Sequence, residues 1–139
     1  MRKLAREYTF QLIFEYLFLK EYNEETLLGF LEDANLSEED RTYVREVYEN
    51  VTSRYGEIFG RLEGALSNYR AERLFKPDLA VLILACYEIF ERADVPDAAA
   101  VNEAVELCKR YGTEKSPAFV NGVLADLIRN KNATAAEEN

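Results

Sequence analysis

The stretch Asp94-Val95-Pro96-Asp97-Ala98-Ala99-Ala100-Val101-Asn102-Glu103-Ala104-Val105-Glu106-Leu107-Cys108-Lys109-Arg110-Tyr111-Gly112-Thr113-Glu114-Lys115-Ser116-Pro117-Ala118-Phe119-Val120-Asn121-Gly122-Val123-Leu124 decides the fold class. Val101, Ala104, Val105, Cys108 and Tyr111 recur at intervals of three and four, which places them on one face of a helix. Pro96 suits the start of that helix and Gly112 its end. Ser116-Pro117 then reads as a second helix start, with serine as cap and proline at the first helical position. Its stripe is Val120, Val123, Leu124, Leu127 and Ile128. Phe119 falls about a right angle from the centre of that stripe.

The same period runs through the rest of the chain, and β-branched alternation is missing. Helices are predicted at about Leu4–Leu19, Glu24–Ala34, from Ser37 to the break near Ser53–Gly56, Glu57–Tyr69 and Asp78–Glu91. The first is apolar nearly all round and is expected to be central. Asn23 and Ser37 stand at capping positions, each followed by acidic residues that suit the positive end of a helix dipole. The expectation is an all-α protein of about seven helices. Two packed halves, roughly 1–70 and 77–130, would share a core, with 131–139 a disordered tail lacking apolar period.

Composition narrows the chemistry. The chain has 139 residues, two cysteines and no histidine. The usual general base and any Ser-His or Cys-His nucleophile pair are therefore absent. A zinc site would need about four Cys or His ligands at short spacing. Cys86 and Cys108 lie on apolar helix faces and read as small buried hydrophobes. The six glycines are scattered, with no phosphate loop. An enzyme, a metal and a cofactor are not expected. The most apolar run, Leu79–Phe90, is too short for a bilayer, which needs about 20 residues. A charged start running into a helical pattern suggests no leader, so a cytoplasmic protein is expected.

Net charge is -9, which argues against a general nucleic-acid binder. Its distribution is uneven. Residues 1–20 hold four basic and two acidic groups, a net of +2, while residues 21–70 hold five and twelve, a net of -7. Arg2, Lys3 and Arg6 sit on the first turns of a helix, where cations oppose the macrodipole at about 0.3–1 kcal/mol each. Either this is an ordinary charged terminus or a ligand is held there. Phe119 similarly packs on a neighbouring helix or offers a ring to a base, worth about 1–3 kcal/mol. Asn121 beside it is either solvated or positioned to bond a base edge.

The order of motifs resembles the NusB family of bacterial transcription antitermination factors. The resemblance is carried by Ala5-Arg6-Glu7 leading into Gln11-Leu12, by Tyr43-Val44-Arg45-Glu46 and by Ala85-Cys86-Tyr87-Glu88-Ile89. Asp94-Val95-Pro96, Asn102–Leu107 and Phe119–Leu124 carry it most specifically. It implies two three-helix bundles with an added helix, and no enzymatic activity. It further implies binding of boxA-type single-stranded RNA with the ribosomal protein NusE, and action within an RNA polymerase antitermination complex at ribosomal RNA operons. The RNA-contacting positions would be Arg2, Lys3, Arg6 and Phe119, with Glu72 and Asp78 toward the ribosomal protein. The free chain would be a monomer or a homodimer. The acidic balance and the arginine run interrupted at Leu4 leave open a protein–protein module with little RNA binding.

Overall fold

The computed structural model describes residues 2–66 and 70–138. Seven α-helices account for the fold: α1 (Lys3–Leu19), α2 (Glu24–Leu31), α3 (Glu38–Ser53), α4 (Tyr55–Gly64), α5 (Lys76–Glu91), α6 (Asp97–Tyr111) and α7 (Ser116–Glu138). A single 3-10 turn, Ala71–Arg73, precedes α5, and no strand occurs among the described residues. Helices α1, α2 and α3 pack together, as do α5, α6 and α7; α4 bridges the two sets, and α1 lies against both α3 and α5.

The centre of the molecule is α5. Every residue from Asp78 to Ile89 is buried, which follows from a sequence apolar on all sides. Helix α1, expected to be the central helix, is sunk only along Ala5, Arg6, Thr9, Phe10, Leu12, Ile13 and Leu17; Phe18 and Leu19 at its end face solvent. Uniform apolarity marks both helices, but only α5 has neighbours on every side.

Local chemistry explains most helix ends. The Asn23 side chain accepts from the Thr26 N–H at 3.1 Å, and the Ser37 hydroxyl accepts from the Asp40 N–H at 3.0 Å, each satisfying a donor the helix itself leaves open. Helix α1 ends on Lys20 in the left-handed region (φ 62°), whose N–H donates to Tyr16 O. Helix α5 begins at Lys76, two residues earlier than expected, because Pro77 is accommodated in its first turn. Helix α4 lies at Tyr55–Gly64, and the expected end at Tyr69 lies outside the described residues.

Two expectations need correction. Ser116 does not cap α7: its hydroxyl accepts from the Thr113 N–H at 2.8 Å, and so braces the preceding turn. Gly112 sits there with extended backbone (φ -97°), so its role is spatial. A Cβ would lie 2.5 Å from Ser116 Oγ and 2.8 Å from Cys108 O. The tail is also helical: α7 continues through Glu138. Alanines at 133, 135 and 136 favour helix intrinsically. Lys131 anchors the extension, donating to Ile89 O at 2.8 Å and pairing with Asp97 at 3.1 Å.

Candidate nucleic-acid interface

The three amino-terminal cations do not share one environment. Arg6 is buried, 9% exposed. Its Nε and Nη2 donate to the Glu88 carboxylate of α5 at 3.0–3.2 Å. An arginine fork meeting a carboxylate in this way is a strong, orienting arrangement. Its partner Glu88 is 2% exposed, so the pair is an internal strut between α1 and α5. The expectation that Arg6 faces solvent with Lys3 is corrected here. The turn that exposes Lys3 rotates Arg6 toward α5, and only a buried acid there makes that tolerable.

Arg2 stands at the start of α1 and donates to Asp94 Oδ2 at 3.2 Å. Asp94, on the turn after α5, also receives a two-pronged contact from Arg92, with Nε and Nη2 both at 3.0 Å. The guanidinium carbons of Arg2, Arg6 and Arg92 lie 4.8, 5.8 and 5.3 Å from the centroid of the Tyr43 ring of α3. A tyrosine face attracts cations at such distances. Burial, reinforced by the charge of Glu88, pushes the Tyr43 phenol well above its usual range. Arg92 hydrogen bonds, helped by Arg2, hold Asp94 below the usual carboxylate range.

Lys3 is exposed and opens onto a groove of about 280 Å³ between α1 and α6. Lys3, Arg6, Lys109 and Arg110 line it, together with Glu7, Glu103, Glu106 and Leu107. The groove therefore mixes four cations with three carboxylates. Arg110 pairs across it with Glu7, while Glu106 pairs with Lys109 at 3.3 Å instead of with Arg110 four residues on. Among the described residues Lys3 makes no ion pair. Lys109 and Arg110 were not singled out in the sequence. Their place in the last turn of α6 is explained by the helix dipole alone, and nothing local shows that this turn faces α1.

Phe119 occupies the first turn of α7, partly buried against the core. It borders a second, shallow groove with Leu66, Ala118, Gly122, Val123 and Arg129. The two grooves have no lining residue in common. The ring and the cations are therefore separate features, and the expected single corner containing both is corrected. The Phe119 N–H donates to Lys115 O at 3.1 Å, so this amide is already satisfied. Asn121 is exposed on the same turn.

The two residues expected toward a protein partner also differ. Glu72 is exposed in the 3-10 turn, 3.6 Å from Arg70. Asp78 is buried in the first turn of α5, and its Oδ1 has no hydrogen-bond partner among the described residues. Burial raises its carboxyl above the ordinary range, partly offset by a hydrogen bond from Ser116. Both cysteines are buried, and burial pushes each thiol up to about 12. No group of three or more potential metal ligands occurs among the described residues. No helix among them is long and apolar enough to cross a membrane.

The profile of the NusB family matches residues 3–129. The chain belongs to the NusB family. It is 38% identical over 130 residues to the transcription antitermination protein NusB of Acetivibrio thermocellus, covering 94% of this chain and 90% of that one. Its identity to the protein of the same name from Clostridium novyi is also 38%, over 92% of this chain and 98% of the relative. T. maritima NusB superimposes with a TM-score of 0.85 at 28% identity, over 93% and 91% of the two chains. A crystal structure of antitermination factors NusB and NusE in complex with double-stranded RNA superimposes at 0.82 and 25% identity, over 93% and 96%. Lys3, Arg6, Phe119 and Asn121 fall inside the NusB span; Arg2 and the last turns of α7 fall outside it.

Proposed function

We propose that this chain is a transcription antitermination factor that binds boxA-type single-stranded RNA jointly with the ribosomal protein NusE, and that it acts on RNA polymerase, notably at ribosomal RNA operons. It is not an enzyme. Membership of the NusB family supports this reading, as does the likeness to a NusB crystallised with NusE and RNA. The observation that carries it is the placement of Arg2 and Lys3 on the first turn of α1, on an otherwise acidic molecule.

In this reading Lys3 and Arg2 take phosphates, with Lys109 and Arg110 reached along the groove. Arg6 positions α1 through Glu88. Phe119 stacks a base, with Asn121 at its edge, on a separate stretch of a flexible strand; single-stranded RNA is commonly read by such stacking. Glu72 lies toward the ribosomal protein, with Asp78 behind it fixing the start of α5. About three phosphate contacts give a slope near -2 in log affinity against log salt. That is weak binding for a lone protein, so a partner adding surface is expected.

A second reading, a protein–protein module with little RNA affinity, is favoured by the net charge of -9 and by the carboxylates already on Arg2 and Arg6. Filter binding of boxA RNA against a scrambled sequence, with and without NusE, separates the two. Preference for boxA that is lost in Lys3→Ala supports RNA recognition. Equal retention of both RNAs supports the module.

A further inference from the structure

We propose that Arg2 and Arg92, held over the Tyr43 ring, form a phosphodiester-binding site that the chain's own Asp94 occupies until RNA displaces it. The inference rests on the RNA-binding reading above and adds two residues, Arg92 and Asp94, that it did not include.

The geometry is that of an anion already bound. The Asp94 carboxylate accepts from three guanidinium nitrogens of two arginines, at 3.0, 3.0 and 3.2 Å. Those arginines come from opposite ends of the sequence, one at the start of α1 and one just past α5. Tyr43 keeps both planes in place from below, at 4.8 and 5.3 Å. A phosphodiester carries one negative charge and two free oxygens, as a carboxylate does, and arginine forks bind either group. The site is therefore shaped for a phosphate and filled by an equivalent group.

Exposure gives the direction of exchange. The arginine side chains are 23% and 15% exposed, whereas that of Asp94 is 52% exposed. The carboxylate lies on the solvent side and is free to swing outward; the cations are fixed beneath it. Glu46 covers the remaining edge, accepting from Arg92 Nη1 at 3.0 Å with its side chain 53% exposed. Asp94, Glu46 and the buried Glu88 together neutralise Arg2, Arg92 and Arg6. A closed, neutral cluster attracts no polyanion at long range, so an RNA phosphate gains here only by replacing Asp94. This makes the site selective for an RNA already anchored elsewhere, at Lys3 or Phe119.

The test is fluorescence anisotropy of a labelled boxA RNA with the full chain, with and without NusE, across a salt series. Asp94→Asn keeps the size of the side chain and removes its charge. It is expected to bind about five-fold more tightly, with the salt slope steeper by about 0.7, one added phosphate contact. Arg92→Gln is expected to weaken binding about five-fold and make the slope shallower by a similar amount. The double variant should lose the gain of Asp94→Asn. Thermal melts accompany each variant, and a folded Asp94→Asn with unchanged affinity and slope, beside a wild type that binds, overturns the site alone. A folded Arg92→Gln indistinguishable from wild type overturns it equally, should Asp94→Asn not fold. A wild type that binds no RNA in either condition overturns the RNA-binding reading, and the site with it.

Discussion

Arg6 shows how one side chain changes meaning with its surroundings. On a surface it would be a phosphate contact; against Glu88 it is an internal tie. Removing one partner of a buried, hydrogen-bonded ion pair leaves an uncompensated charge and costs about 3–5 kcal/mol. Arg6→Ala and Glu88→Gln should therefore both lower the midpoint of urea unfolding substantially. A midpoint within error of wild type for either would deny the pair its structural role. Asp78 is the opposite case, a buried carboxylate whose Oδ1 lacks a hydrogen-bond partner. Its folded-state pKa is raised, so the folded protein binds the proton more readily than the unfolded chain. The charged carboxylate thus costs stability at neutral pH, and the cost fades as pH falls through that raised value. Asp78→Asn should raise the melting temperature at pH 7 and cease to do so below about pH 3.8, the unfolded value. A uniform destabilisation at both pH values would show instead that the charge is favoured at the start of α5.

At the scale of elements, the α6–α7 joint and the end of α7 carry the clearest consequences. Gly112 leaves no room for a side-chain carbon between Ser116 and Cys108. Gly112→Ala should force the joint apart and lower the melting temperature, by about 1–3 kcal/mol as for other overpacked sites. The Ser116 brace makes the same joint rigid from the other side. Farther along, Lys131 reaches back to the last turn of α5, where carbonyls lack helical partners. Lys131→Ala should cost about 0.5–1.5 kcal/mol and leave residues 132–138 more rapidly exchanging by amide hydrogen exchange. Unchanged exchange would mean the extension is held by its own helix propensity.

Across the whole molecule, acidic charge and a basic start pull in opposite directions. RNA affinity in the proposed reading depends on few phosphate contacts, so it should fall steeply but not extremely with salt, at a slope near -2. Phe119→Ala should lower affinity by about 1–3 kcal/mol if one base stacks there. Circular dichroism should show helical content near wild type, because the ring only flanks the core. An intact fold with undiminished affinity would place the ring outside the RNA path. The NusB relatives and the shared fold make these measurements direct comparisons among similar helical bodies.

The linear sequence by itself determined the helices, most of their ends and the family. These depend on residues three or four apart, on caps such as Asn23 and Ser37, and on prolines and glycines whose effect is local. It also showed that positive charge gathers at the amino terminus. Only the tertiary structure decided that Arg6 meets Glu88, eighty-two positions away, that Phe119 and Lys3 open onto different grooves, and that Asp94 lies across Arg2 and Arg92. Helical period says which residues share a face. Which faces meet, and which charge lies opposite another, depends on how seven helices pack, and that is a property of distant pairs.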